Sequence, residues 1–263
     1  MSARLHDPVG HAFGHWRLDN RGPQPLIAAF RAGFEFQSQF RATTMNHQDA
    51  TTTLRLAKRR AYVDPLFPVL RHMTRDVLNK PFDRAWSIQG FGMLRTYFGP
   101  DKQFRLNVWH SRFQVPGVSI VHDHPWHFNS WIIAGRFTNQ RYTSGTLQYG
   151  GYRVSAAPPN FHFQTIKTGE GGGPVGELGS MLLIPDQPEQ YRPGDTYRQE
   201  AHEIHASFYN DGTVTLNDRT RIGDGEHARV FWPLGEKWID AQPRNATEEE
   251  VWTATRAALA WFK

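Results

Sequence analysis

From Phe91 onward the chain alternates polar and apolar residues with a period of two, in runs too short to be helices. The stretch "FGMLRTYFGPDKQFRLNVWH" (Phe91 to His110) predicts a hairpin that turns at Gly99-Pro100-Asp101. Further strand-like runs follow near 118–124, 129–143, 146–154, 161–167, 179–184, 196–209, 213–219 and 228–233, each bounded by Gly, Pro, Asn or Asp. Successive side chains of a strand point to opposite faces. Many such short runs, with breaks between them, predict a sandwich, a jelly roll or a barrel.

Helices flank this β region. Between Asp64 and Asn79 the period lengthens: Asp64 can cap, Pro65 suits the first turn, and Leu66, Val69, Leu70, Met73 and Val77 fall on one stripe before Asn79-Lys80-Pro81 stops it. At the C-terminus Thr247 and Glu250 have the capping-box spacing, and Val251, Ala254, Ala258, Trp261 and Phe262 form a stripe that packs on the outside of the β core. Residues 1–48 show neither period and predict an arm laid over the core. Thr168 to Gly179, "TGEGGGPVGELG", reads as a flexible loop; without a Gly-Lys-Ser/Thr ending it has no nucleotide role. There is no internal repeat and no linker, so one domain is expected: an arm and helices over 1–89, a barrel over 90–240 and a terminal helix over 241–263.

Composition closes off several functions. The 263 residues contain no cysteine, which removes disulfides, thiolate metal ligands and cysteine nucleophiles together. No run of about 18 apolar residues exists to span a membrane, and "MSARLHDPVGHAFGHW" lacks the apolar stretch of a secretory signal. A cytoplasmic protein with no membrane partner is expected. The formal charge of +5 is spread singly among strands except at Lys58-Arg59-Arg60, at a predicted helix end, so no nucleic acid is expected and small anionic substrates remain compatible.

The chemistry concentrates in "VSIVHDHPWH" (Val118 to His127), with three histidines in six positions. If Val118 to His124 is a strand running into a loop at Pro125, His122 and His124 share a face and Asp123 takes the other. Two imidazoles so placed can chelate one ion. For a third ligand the residues offer His127 and Asn129 nearby, and His162, His202 and His205 farther along. In "QEAHEIHASFYNDGTVTL" (Gln199 to Leu216) His205 shares a face with Glu203 and Ser207, whereas His202 points the other way. Two strands giving His122, His124 and His205 would make a facial three-histidine site with positions open for substrate and oxygen. His6, His11 and His15 are not expected to bind metal.

With Gly117 before "HDH" and Gly135 closing "WHFNSWIIAG", this region resembles the first motif of the cupin superfamily, and "RPGDTYRQEAHEIH" (Arg192 to His205) is similar to the second, with a longer gap. The resemblance covers roughly 90–235 and implies a cupin-type double-stranded β-helix, a jelly-roll barrel with flanking helices. The position of the family's glutamate ligand holds Asn129, or Phe128 at the shorter spacing. Lacking that acid, the chain resembles the thiol-dioxygenase branch, which binds ferrous iron through three histidines and clamps the substrate carboxylate with an arginine. The resemblance makes His205 the third ligand. The cysteine that some of these enzymes crosslink to a tyrosine is absent.

Around the metal, "RLNVWH" puts Arg105, Asn107 and Trp109 on one face and Leu106, Val108 and His110 on the other. Either the Arg105 face is interior, where Arg105 or Arg95 could hold a carboxylate, or the arginines face solvent and Leu106 and Val108 are inside. Tyr197 and Tyr191 can donate a proton or serve as hydrogen-bonded core residues, and Glu203 can support a ligand histidine or be exposed. Trp109, Trp126, Phe128, Trp131 and Phe137 fit a hydrophobic wall. The candidate catalytic residues are thus Arg105 and Tyr197, the metal ligands His122, His124 and His205, and the substrate-binding residues Arg95, Asn107, Trp109, His127 and Asn129. The expectation is an Fe(II)-dependent, or other divalent-metal, dioxygenase that takes O2 and a small polar or carboxylate-bearing molecule; cupin analogy adds a homodimer. The alternatives are a 2-oxoglutarate-dependent hydroxylase using Arg219 or Arg221, a non-oxidative isomerase or lyase, and a metal- or ligand-binding module without chemistry.

Overall fold

Two antiparallel sheets use the alternation read from the sequence. The computed structural model describes residues 65–263 except 100–101, 150–151, 156, 168–172, 177 and 222–226. The expected arm over 1–48, the Asp64 cap, the Lys58-Arg59-Arg60 cluster, His6, His11 and His15, and much of the 168–179 loop lie outside the described residues. All that is described falls within one unit, Arg60–Lys263. Helix α1 (Phe67–Asn79) comes first, and α2 (Glu248–Leu259) closes the chain.

The first sheet is built from β1 (Ser87–Gln89), β2 (Phe91–Phe98), β3 (Phe104–Gln114), β5 (Trp126–Ala134), β14 (Thr196–Gln199), β16 (Thr213–Arg221) and β18 (Arg244–Asn245), in the order β14-β5-β16-β3-β2-β1-β18. The second runs β10-β9-β17-β4-β15-β6-β12, from β4 (Val121–His122), β6 (Phe137–Ser144), β9 (Phe161–Lys167), β10 (Gly173–Pro174), β12 (Leu183–Pro185), β15 (His205–Tyr209) and β17 (Ala228–Pro233). To it β11 (Gly179–Met181) adds on β9 and β13 (Glu189–Tyr191) on β6, while β7 (Thr146–Tyr149) and β8 (Tyr152–Ser155) pair with each other. Over the described residues the result is a mainly β, barrel-like fold with two α-helices.

The hairpin at residue 99 forms as expected, with Phe98 opposite Phe104. The run 129–143 instead splits into β5 and β6 at Gly135. Its φ is +81°, and a Cβ there would lie 2.6 Å from the Thr213 backbone, so only glycine lets the chain reverse this close to β16. The run 196–209 is interrupted by a turn in which His202 takes a φ of +60°. The sheet also reaches beyond the expected 90–240, because β1 and β18 pair along its edge (Ser87 with Asn245). Strands of two or three residues leave no readable period.

Three apolar clusters show how both faces of the sheets are used. Leu94, Leu106, Val108, Ile133, Val214 and Leu216 turn to one side of the first sheet, where Leu78 of α1 and Val251, Ala254 and Ala258 of α2 cover them. The reverse side meets the second sheet through Met93, Trp109, Phe128, Ile132, Phe137, Tyr191 and Tyr197. On the far face of the second sheet lie Val121, Tyr142, Leu183, Ala206 and Phe231. Thus Leu106 and Val108 are buried, and so are Arg105, Asn107 and Trp109 on the opposite face. The solvent-facing alternative for Arg105 is excluded, because both faces of β3 are covered.

The α2 capping box forms between Thr247 and Glu250. Val251, Ala254 and Ala258 are buried as expected, but Trp261 stays partly exposed and donates from Nε1 to the Asp211 carbonyl. On α1 the stripe is rotated from the expected one. Phe67, Leu70, Val77 and Leu78 pack into the core, and Leu66, Val69 and Met73 are exposed. Leu66 takes the N-cap position. The rotation follows from α1 lying against both β5 and α2, which no local period records.

Candidate metal centre

β4 and β15 are neighbours, and His205 sits directly opposite His122 in their register. Asp123 continues the antiparallel pairing beyond β4: its N–H donates to the Arg229 carbonyl (3.0 Å). Its buried carboxylate accepts from the Arg229 backbone N–H (2.6 Å) and Nε (2.7 Å). This anchor preserves the strand parity through "HDH", so His122 and His124 reach the interior from the same face. The His124 carbonyl is held by the His202 N–H at 2.8 Å.

His122, His124 and His205 therefore converge as a buried group able to hold a metal ion, with one ligand atom of each within 4.8 Å of the others. The Nε2 atoms of His124 and His205 are 3.1 Å apart. Two nitrogens each about 2.1 Å from one ion would stand roughly 3–3.4 Å apart, so this pair is already at the separation of a shared cation. Aromatic rings fix the imidazoles: Phe91 stacks on His122 (5.0 Å between centroids) and Trp126 on His124 (5.1 Å).

Hydrogen bonds decide which nitrogens are free. His122 Nδ1 lies 2.9 Å from the Ile120 carbonyl, which can only accept, so Nδ1 carries the proton and Nε2 keeps its lone pair. For His205 the polarity is set at the end of a chain of bonds. The Glu203 carbonyl accepts from Gln199 Nε2 (3.2 Å), so Gln199 Oε1 accepts from Asn139 Nδ2 (3.0 Å). Asn139 Oδ1 must then accept from His205 Nδ1 (2.8 Å), which leaves His205 Nε2 bare. Such outer partners fix ring orientation and tautomer in metal sites. Burial, the largest cause, holds all three imidazoles below their usual pKa, and the neighbouring histidines and Arg105 push His124 and His205 further down. The centre is a set of neutral nitrogen donors.

Asn139 and Gln199 were not among the sequence candidates. Asn139 sits opposite Ser207 only because β6 pairs with β15, and no local pattern encodes that pairing. Replacing Asn139 by Leu is expected to lower metal affinity about 10- to 100-fold, read by zinc titration. Thr138→Ala, on the opposite face of β6, should leave it unchanged.

The space enclosed before the histidines is small, about 10 Å³, and is lined by Arg105, Trp109, Phe128, Tyr197, Ser207 and Asn217 among others. That is about one water-sized particle. Arg105 is buried and its Nε has no hydrogen-bond partner among the described residues. Burial pushes the Tyr197 hydroxyl up to about 12, so it stays protonated and able to donate. Trp109 donates from Nε1 to Thr215 Oγ1 (3.0 Å) and so does Asn107 from Nδ2 (2.9 Å), which makes Asn107 part of the wall rather than the cavity lining.

Other candidates are placed elsewhere. Asn129 and His127 alternate with the buried Phe128 and Ser130 and so stand on the outer face of β5. Asn129 is exposed, and His127 Nδ1 lies 2.6 Å from Glu200. Neither lines the small cavity before the histidines, where substrate contacts were expected of them. His162 contacts Ser180 (3.0 Å), and His202 faces Asp123, at 3.9 Å. Tyr191 donates to Glu189 (2.5 Å) rather than into the cavity. Glu203 lies before β15, its carboxylate on Arg141 (2.9 Å), and it serves His205 through its main-chain carbonyl. Arg95 lies outside the cavity lining, beside Tyr97 and bonded to Ser87 and Gln89. The side chain of Arg221 lies outside the described residues.

Among the described residues no helix is long and apolar enough to cross a membrane. No protein-family model matches this sequence, and it matches no curated protein.

Proposed function

We propose that the chain is a cupin-type, mononuclear non-haem Fe(II) dioxygenase acting on a small molecule that bears an acidic group. The observation that carries this reading is the set of three neutral imidazole nitrogens, with no carboxylate in the set, beside a buried arginine in a small, aromatic-walled cavity. His122, His124 and His205 are the residues that would hold the ion, and the bare Nε2 atoms of His122 and His205, joined by the neutral imidazole of His124, suit a divalent first-row metal. When bound, iron in such a site supplies the redox chemistry that couples O2 to an organic substrate.

The chain's own residues supply the rest. Arg105 presents a buried guanidinium whose Nε is free to engage the acidic group and orient the molecule. Tyr197, protonated and inside the cavity, can donate a hydrogen bond or a proton from its hydroxyl. Phe91, Trp109 and Phe128 keep bulk water away from the reacting atoms, which strengthens each polar contact. The fold reading as a cupin barrel rests on the same placement, a histidine pair on one strand and a third histidine on its antiparallel neighbour.

The test is metal analysis of protein purified without added metal, followed by oxygen consumption with a panel of small acids, with and without 2-oxoglutarate. Iron content together with oxygen uptake independent of 2-oxoglutarate is expected. Turnover that proceeds without oxygen would overturn the oxygenase in favour of a non-oxidative enzyme.

A further inference from the structure

Next to the histidines the interior gathers positive charge without a matching acid among the described residues. Tyr97 is directly opposite Arg105 in the β2–β3 register. The Arg219 guanidinium lies 4.9 Å from the Tyr97 ring centre, and that of Arg95 lies at 5.6 Å. Their contacts are neutral: Arg95 bonds Ser87 Oγ (3.1 Å) and Gln89 Oε1, and Arg219 bonds the Lys102 carbonyl. Among the described residues none of the three arginines pairs with a carboxylate. The Nε atoms of Arg105 and Arg219 are buried and have no hydrogen-bond partner among the described residues.

Three guanidinium groups held together by neutral acceptors repel one another, and partial burial deprives them of water. Burial first, and Arg105 in addition, lowers both Arg95 and Arg219 to about 10. Burial alone would raise the Tyr97 hydroxyl, but the charges of Arg105, Arg95 and Arg219 together bring it below its usual value. An anion placed among these guanidinium groups would offset their mutual repulsion.

We infer that Arg95, Arg105 and Arg219, gathered around Tyr97, recognise a doubly charged tetrahedral oxyanion of the substrate, a phosphate or phosphonate group. A single carboxylate is satisfied by one arginine in bidentate contact. Three separate forks and three charges match a group with three terminal oxygens and two charges. The geometry also says how such a molecule sits. Tyr97, Arg95 and Arg219 keep partial exposure, so the bulky oxyanion stays at the mouth. Arg105 belongs to both the cluster and the small cavity, and Trp126 lies between Arg219 (5.3 Å) and His124 (5.1 Å). The reactive end of the substrate is then delivered to the histidines. The placement of that reactive end rests on the proposed metal centre; the oxyanion site itself does not.

The experiment is titration of the chelator-treated full-length protein with inorganic phosphate, methylphosphonate, sulfate and acetate at constant ionic strength, followed by calorimetry and by 31P line broadening. Phosphate and methylphosphonate are expected to bind at least about tenfold more tightly than acetate, the equivalent of about 1.4 kcal/mol. Arg219→Gln and Arg95→Gln, made singly, should each reduce phosphate binding about tenfold while zinc binding is retained. Equal binding of phosphate and acetate by the unaltered protein would overturn the inference, and needs no variant to fold. So would phosphate binding unchanged in both folded variants. Phosphate selectivity in a protein that takes up no metal would sustain the oxyanion site and sink the metal centre. Metal uptake without phosphate selectivity would do the reverse.

Discussion

Alanine at His124 is expected to abolish tight metal binding and, with it, turnover. Losing an outer hydrogen-bond partner of a ligand costs about 10- to 100-fold in affinity, so losing one of three direct donors must cost more than about 100-fold. Calorimetric zinc titration and metal content after purification read the effect. His205→Ala should behave alike, whereas Asn129→Ala on the outer face should bind as the unaltered protein does. A His124→Ala protein with undiminished affinity would remove the metal centre. The same histidines set a pH dependence. In the unfolded chain they titrate near 6.5, and burial keeps the folded-state values lower. The unfolded chain therefore binds more protons as the pH falls. Stability of the metal-free protein is full above about 6.5 and declines below it until the folded-state values are reached. Melting temperatures between pH 8 and pH 5.5 should show this, with a smaller slope in His124→Ala.

Replacing Arg229 by Ala is the substitution expected to harm stability most. It strands the Asp123 carboxylate, which is fully buried, without its guanidinium. Breaking a buried pair from one side costs about 3–5 kcal/mol, or roughly 6–20 °C in melting temperature for a protein of this size. The backbone N–H of residue 229 still reaches Asp123, which favours the lower part of that range. Arg198→Ala removes an exposed, solvent-screened pair with Glu200 and should leave stability nearly unchanged. Thermal unfolding of the two variants compares them directly. Because Asp123 lies between two ligand histidines, Arg229→Ala should also loosen metal binding.

Several elements were legible from local pattern alone. The β2–β3 hairpin, the strands at 161–167 and 228–233, and the Thr247 to Glu250 capping box follow from period, turn chemistry and capping, all of which act within a few residues. The histidine pair could be read because strand parity spans only Asp123. His205 needed a family resemblance to be chosen over the other candidates, because its partner strand is 83 residues away, from His122 to His205 in register.

What the amino-acid order determined by itself is the alternation: which residues of each strand share a face, and so that Arg105 travels with Trp109 and His122 with His124. Which of two faces becomes the interior was left to the tertiary structure, because helices α1 and α2 cover the apolar face of the first sheet and free its mixed polar face to meet the second. The same pairing of sheets placed Asn139 and Gln199 behind His205 and turned Asn129 and His127 outward. Side-chain period is a property of one strand, whereas register and burial belong to the strands and helices that close on it, and only those decide where an imidazole lone pair points.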